Sequence, residues 1–336
     1  MSGGREFTDT NNTEPVALKS SELPDLTADV QRIIQKFSLQ PVFMVTRLSS
    51  GVMTYKYVIH CENDKWVLRF YPHARSHIVN FEPDLLRRCS EAGLAVPEVL
   101  GDSRNDPGAQ LQYVLYRMLP GVSLAEYRGV LSSAEMHKLG QQVVKFLQSM
   151  ARISVQGWGP LTDARHGQLE SWEAFVAQTF ENGIAAVQKN RLLNANRIQQ
   201  LQRVRDNLSA FISPARAGIA WGDLSPGNII VDEVGALRGF VDLEGALVAE
   251  SILSLGYLRA YTSQSPLYQA LAVAWSESLD VTACRRIDLY AVMRMLRIME
   301  FATKPLPTGV KRVRVDSFLP GAIEALDAIS GSNSRV

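Results

Sequence analysis

One stretch constrains this chain more than any other: Trp221-Gly222-Asp223-Leu224-Ser225-Pro226-Gly227-Asn228. An apolar lead-in (Ala217 to Ala220) reaches it, and two apolar runs come after it, Ile229-Ile230-Val231 and Phe240-Val241, separated by the turn signal Asp232-Glu233-Val234-Gly235. Runs separated in this way predict a hairpin, and a hairpin returns Asp242 to the side of Asn228. The chain must then fold so that Asp223, Asn228 and Asp242 share one end of a strand pair. The structural alternative is an Asx turn that merely feeds a strand.

Carboxylate and amide oxygens suit a hard, compact cation such as Mg2+, which keeps several waters and takes only one or two carboxylates from a protein. The spacing D-x-x-x-x-N followed by a later Asp is also the one kinases use. There the first Asp accepts the proton of a substrate hydroxyl, and the Asn and later Asp hold the ions that bridge the phosphates. The expectation is therefore Asp223 as catalytic base, Asn228 and Asp242 as metal ligands, and ATP with Mg2+ as cofactors.

The upstream residues supply the parts such a site needs, in order. Leu48 to His60 reads as two alternating strands joined by Ser49-Ser50-Gly51, a turn expected to cover phosphates; the alternative is an ordinary hairpin. Arg69 interrupts the apolar run Val67-Leu68-Arg69-Phe70-Tyr71. A guanidinium stays charged when desolvated and offers a planar fork to phosphate or carboxylate, so Arg69 is expected to contact phosphates and Glu82 together, against the reading of an edge-strand arginine facing water. Glu82 precedes Pro83 and the helical stripe Leu85, Leu86, Cys89, which puts it at a helix start; a solvated helix glutamate is the alternative. Gln110 to Met118 reads as the last strand before a hinge, where the backbone of Tyr116 and Met118 would meet an adenine edge unless the pair is plain strand packing.

These segments resemble the aminoglycoside phosphotransferase and choline kinase superfamily. Residues 221–231 are similar to its HGDLxxxNxLV signature and Val241-Asp242-Leu243-Glu244 to its IDWE segment. Leu48-Ser49-Ser50-Gly51 looks like its Gly loop, Trp66-Val67-Leu68-Arg69-Phe70 its VLR strand, residues 82–86 its Glu-bearing helix, Ala95-Val96-Pro97-Glu98-Val99-Leu100 its VPRVL strand, and residues 113–121 its hinge and LPG turn. The matches run in family order from about residue 41 to 262. The resemblance implies an α+β, bilobal, protein-kinase-like fold. A small antiparallel N-lobe sheet with one helix would pack on a larger, mostly helical C-lobe, and Mg-ATP would phosphorylate a hydroxyl of a small molecule.

Two positions depart from the pattern: Trp221 stands for the family histidine, and Ser254 for a later aspartate. Neither performs chemistry in the family. An indole filling the pocket while its N–H finds an acceptor, together with a serine hydroxyl, would brace the loop. A nucleotide-binding pseudokinase is the alternative, although Asp223, Asn228 and Asp242 are all retained.

With 336 residues and 46% hydrophobic content the chain can bury two lobes, expected at 26–119 and 120–332 behind a polar, disordered tail at 1–25. A formal net charge of +1 gives no electrostatic case for nucleic acid, and no segment reads as a signal peptide, membrane span or membrane anchor. Cys61, Cys89 and Cys284 lack metal spacing and read as reduced thiols, which suits a cytoplasmic monomer or homodimer.

Helical patterns are expected at 28–37, 76–92, 132–151, 170–190, 194–212, 251–262, 264–279, 282–303 and 316–329. Beyond Ser132 only the motif hairpin interrupts them, and after Asp242 the chain reads Leu243-Glu244-Gly245-Ala246-Leu247 straight toward a helix, with no room for the activation segment of a protein kinase. Trp158 and Trp172 read as packing anchors, and Met293 to Met299 as a core helix whose arginines snorkel. The family does not choose an acceptor. Glu244 and Glu250 are the carboxylates offered to a cationic acceptor, and Trp275, Tyr257, Tyr261 and Tyr290 the aromatics that could cage a quaternary amine or simply pack. Arg259, Arg285, Arg286, Arg294 and Arg297 in the same region argue against a polycation.

Overall fold

The third strand of the first sheet shows how sequence alternation builds the site. Along β3 (Lys65–Tyr71), Trp66, Leu68 and Phe70 point to one face, while Val67, Arg69 and Tyr71 point to the other. In the computed structural model, which describes residues 24–48, 53–212, 216–275, 281–303 and 319–331, the first face is covered by α1 (Thr27–Lys36) through Val30 and Ile33. The second faces α2 (Glu82–Glu91), whose Leu85, Leu86 and Cys89 join the core that continues into the C-lobe. Arg69 is thus placed in the interior by strand periodicity alone.

The N-lobe sheet has the order β1-β2-β3-β5-β4, all antiparallel, from β1 (Val42–Leu48), β2 (Tyr55–Cys61), β4 (Val99–Asp102) and β5 (Gln112–Arg117). Its β3 is central, which removes the edge-strand reading of Arg69. The turn residues Ser49, Ser50 and Gly51, most of the polar tail, and the ends of the expected helices at 264–279 and 316–329 lie outside the described residues.

Beyond the hinge, β6 (Val122–Ser123) pairs with β10 (Ile229–Val231), which pairs in turn with β11 (Leu237–Phe240). The helices are α3 (Ser133–Met150), α4 (Trp172–Asn190), α5 (Ala195–Asp206), α6 (Leu253–Arg259), α7 (Pro266–Trp275), α8 (Val281–Ala302) and α9 (Pro320–Gly331). Helix α3 starts on a capping box in which Ser132 Oγ accepts from Glu135 N–H and the Glu135 carboxylate accepts from Ser132 N–H. From Ile287 to Glu300 helix α8 is buried or half-buried on every side, and it packs against α4, α6 and α9 as a central helix must. No helix among the described residues is long and apolar enough to cross a membrane.

Three expectations are corrected. The helix expected at 76–92 is a 3₁₀ turn (His73–Asn80) followed by α2, because Pro83 forces a new helix start after Phe81. The C-lobe is interrupted by more than the motif hairpin. Strands β7 (Trp158–Leu161), β8 (Gly167–Leu169), β9 (Gly218–Trp221) and β12 (Ala246–Ala249) form a second sheet in the order β8-β7-β12-β9. After Asp242 the chain therefore passes a 3₁₀ turn (Leu243–Gly245) and β12 before α6, instead of running straight into a helix.

Candidate active site

Two ladders bring the motif residues together. In the C-lobe sheet Trp221 pairs with Ala246 and Gly222 N–H donates to Gly245 O (3.1 Å), so Asp223 leaves β9 beside the turn that carries Glu244 and Gly245. In the hairpin Ile229 pairs with Phe240 and Val241 N–H donates to Asn228 O (3.0 Å), which sets Asp242 beside Asn228. Gly245 is required here: a Cβ on it would stand 2.8 Å from Asp223 Cβ. Asn228 Nδ2 donates to Asp223 O (2.9 Å), which fixes the loop and leaves Asn228 Oδ1 as the oxygen turned to other partners.

Asp242 sits at φ +66°, a left-handed conformation that aspartate tolerates better than most residues and that aims its carboxylate back toward the N-lobe. There it meets Arg69, whose Nη2 donates to Asp242 Oδ1 (3.0 Å) and to Glu244, whose Nη1 donates to Glu82 Oε1 (3.1 Å), and whose Nε donates to Thr54 Oγ1 (3.2 Å). Arg69 is only 1% exposed. One buried guanidinium thus clamps three carboxylates from α2, from the end of β11 and from the following turn. Tyr71 OH donates to the other Glu82 oxygen, Lys56 Nζ lies 3.5 Å from Asp242 Oδ2, and Arg75 pairs with Glu244 Oε1 (2.7 Å).

Burial pushes the Glu82 carboxyl up to about 7 against the opposing pull of Arg69. Burial acts on Asp242 in the same direction, but there Arg69 and Lys56 outweigh it and hold the carboxyl below its usual range. Asp242 therefore stays an anion, as a metal ligand must. Asn228 and Asp242 offer one amide and one carboxylate, and among the described residues no group of three or more His, Cys, Asp or Glu side chains could hold a metal ion. That donor set fits Mg2+, which leaves the rest of its shell to water and phosphate, and would not fit a metal that needs a complete protein cage.

Trp221 is fully buried, its ring edge-on to Phe146 and Phe240 with centroids 5.9 and 5.7 Å away. Its Nε1 donates to Asp242 O (3.1 Å), and its backbone N–H donates to Ser254 Oγ (3.0 Å). The indole and the hydroxyl thus tie the Asp223 loop to the Asp242 turn and to α6. Replacing Ser254 by alanine leaves the buried Trp221 N–H without an acceptor and is expected to cost about 1–3 kcal/mol of stability. Urea denaturation checks this, and an unchanged midpoint would remove Ser254 from the bracing.

The remaining predicted residues fall in different places. Tyr116 lies inside the ladder between Val67 and Val99, and Met118 N–H already donates to Lys65 O (2.8 Å). The strand β5 ends at Arg117, but the ladder bond to Lys65 takes up the Met118 N–H, which leaves only the Met118 carbonyl for an adenine edge. Glu244 is taken up by Arg69 and Arg75. Glu250 accepts from Arg286 Nε (3.1 Å) and Nη2 (3.0 Å) and from Tyr290 OH (2.5 Å). Trp172 is buried against Trp158 and Tyr290, as a packing anchor is.

The sequence reading assigned no contact in the site to Lys56, Thr54, Arg75 or Arg294, all of which touch it; Arg294 was weighed only as a snorkelling arginine and as one of those that argue against a polycation. For Lys56 and Thr54 a signal existed, since they alternate on the strand that precedes β3. For Arg294, one of several charged residues on its helix, no signal pointed to Asp223.

The chain belongs to the phosphotransferase enzyme family APH, whose model matches residues 45–294. Solved structures share its fold. An apo thermostable mutant of aminoglycoside phosphotransferase APH(4)-Ia is 18% identical with a TM-score of 0.67, over 91% of this chain and 99% of that one. The GDP complex of aminoglycoside 2'-phosphotransferase-IIIa is 16% identical with a TM-score of 0.65, over 92% and 100%. The streptomycin–ATP ternary complex of APH(2")-IIa is 16% identical with a TM-score of 0.62, over 91% and 97%. No curated protein matches the sequence.

Proposed function

We propose that this protein transfers the γ-phosphate of ATP to a hydroxyl group of a small molecule, with Mg2+ as cofactor. The observation that carries the reading is the placement of Asp223, Asn228 and Asp242 at the common end of two ladders, facing a buried Arg69–Glu82 pair. Solved relatives of the fold hold ADP or AMP-PNP together with hygromycin B. In the proposed reaction the acceptor oxygen attacks the γ-phosphorus as the bond to the β-bridging oxygen breaks. The hydroxyl proton passes to Asp223, and ADP departs. The metal would neutralise the developing charge on the phosphates, held by Asn228 and Asp242, while Arg69, oriented by Glu82 and only 1% exposed, would reach phosphate by exchanging its Asp242 or Glu244 contact for it.

The short connection after Asp242 favours a small acceptor. Between Asp242 and α6 the chain holds only a 3₁₀ turn and β12, too little for the activation segment on which a protein kinase docks its substrate.

The test is an ADP-release screen over aminoglycosides, amino alcohols, sugars and natural-product alcohols, with Mg2+ and with chelator. Mg-ATP at about a hundred times its Kd is expected to raise the melting temperature by roughly 4–5 °C, a shift that chelation abolishes together with turnover. A Mg-dependent shift without turnover on any acceptor would replace the kinase reading with a nucleotide-binding pseudokinase.

A further inference from the structure

Asp223 is paired with a cation. Arg294, in α8, donates through Nη2 to Asp223 Oδ1 (2.8 Å) and to the Tyr261 hydroxyl (3.1 Å). Its guanidinium carbon lies 5.3 Å from the centre of the Tyr257 ring and 6.0 Å from that of Tyr261. These two tyrosines, candidates for a quaternary-amine cage, already hold this guanidinium. Asp223 is 40% exposed and the Arg294 side chain 17%, so whatever reaches the Asp223 carboxylate comes close to a partly desolvated positive charge. Burial opposes that charge, but Tyr261 and Asp223 hold Arg294 protonated. A guanidinium carries five N–H donors. Of these, Nη2 serves both bonds, and Nε is buried without a partner among the described residues.

Among the described residues, the three carboxylates Glu244, Glu250 and Asp288 are already neutralised and leave no charge to balance a cationic ligand. Glu244 is held by Arg69 and Arg75, Glu250 by Arg286 and Tyr290, and Asp288 by Arg259 (2.7 Å). One turn along α8 from Arg294, Arg297 lines a cavity of about 450 Å³ together with Glu244 and Gly245. Among the described residues Arg297 makes no ion pair; its guanidinium lies over the Phe175 ring, 5.4 Å from the centroid. Asp223 thus has one arginine in direct contact, and a second, without an ion pair among the described residues, lines the cavity beside it that Gly245 shares.

We infer, building on the kinase reading above, that the acceptor is a hydroxyl compound bearing a carboxylate or phosphate, that Arg294 selects it, and that ammonium-bearing acceptors are disfavoured at Asp223. The guanidinium would attract the acceptor's anion while keeping Asp223 in place, and would repel an amine at the same range, a discrimination of roughly a hundredfold in affinity.

The test divides the acceptor screen by charge into alcohols bearing a carboxylate or phosphate (gluconate, glycerate, sugar phosphates), neutral sugars and polyols, and ammonium-bearing alcohols (choline, ethanolamine, kanamycin, hygromycin B, streptomycin). The expected result is turnover concentrated in the first group. For the best anionic acceptor, Arg294→Met is expected to raise the acceptor KM roughly tenfold or more with the ATP KM unchanged, and Arg294→Lys to recover most of the loss. Efficient turnover of an ammonium-bearing or neutral acceptor would overturn the acceptor assignment and leave the kinase reading intact. A fall in kcat at constant acceptor KM in Arg294→Met would reduce Arg294 to a residue that positions Asp223. Absence of turnover in all three groups would defeat the kinase reading, and the acceptor assignment with it.

Discussion

Asp223→Ala is expected to lower kcat about a thousandfold, within the range found when a positioned general base is removed, while Mg-ATP still raises the melting temperature of the variant. The separation arises from the geometry. Asp223 reaches Arg294 on the acceptor side and touches neither Arg69 nor Asp242, whose contacts run to Glu82, Glu244, Lys56 and Thr54. The long contact of the Asp223 carboxylate with Asn228 Nδ2 (3.4 Å) is backed by the bond that Asn228 makes to the Asp223 carbonyl (2.9 Å), which the variant keeps. Phosphoryl transfer through a loose transition state relies mainly on positioning and charge, so the loss falls on the chemical step and not on nucleotide affinity. Removing the carboxylate also strands Arg294, so the variant must first be shown to melt cooperatively. Asp223→Asn is the matched control, since it keeps a carbonyl oxygen for Arg294 but cannot take up a proton. If either variant turned over like the wild type, the proposed reaction would have to be abandoned.

How much of each element could be read from sequence depends on the physics that forms it. The segment from β9 through β11 was legible because glycine, proline and alternating apolar residues fix its turns locally, and local geometry is enough to return Asp242 to Asn228. The interior position of Arg69 was legible because a period of two leaves it no other face once Trp66, Leu68 and Phe70 face α1. Strands β7 and β8 were not legible. They are four and three residues long, too short to show a period, and exist because β12 offers an edge that only the folded chain creates. Nor was Arg294, since its partner lies 71 residues away across the packed C-lobe and an arginine on a core helix looks the same whether it snorkels or pairs. That the Met118 N–H is taken up by Lys65 was not legible either, because such a ladder bond depends on where the neighbouring strand ends, which composition does not show.

The largest effect on stability is expected at Arg69. Arg69→Met nearly preserves side-chain length but leaves Glu82, Asp242 and Glu244 converging on one site without the guanidinium that links them. Breaking a buried pair by removing one partner costs about 3–5 kcal/mol, because the charge that remains is uncompensated. For a chain of this size that corresponds to roughly 4–8 °C in melting temperature. Lys56 and Arg75 stay within reach of Asp242 and Glu244, so Glu82 is the group left most exposed to the loss. Its carboxyl, already raised by burial, would rise further and take up a proton in response. Glu82→Gln removes that charge in advance, so the double variant is expected to be more stable than Arg69→Met alone, a coupling of roughly 1–3 kcal/mol in a double-mutant cycle. Additive losses would mean that the two side chains act independently and that Arg69 is held chiefly by Asp242 and Glu244. In that case the link between α2 and the phosphate-binding cation, on which the proposed orientation of ATP depends, would have to be given up.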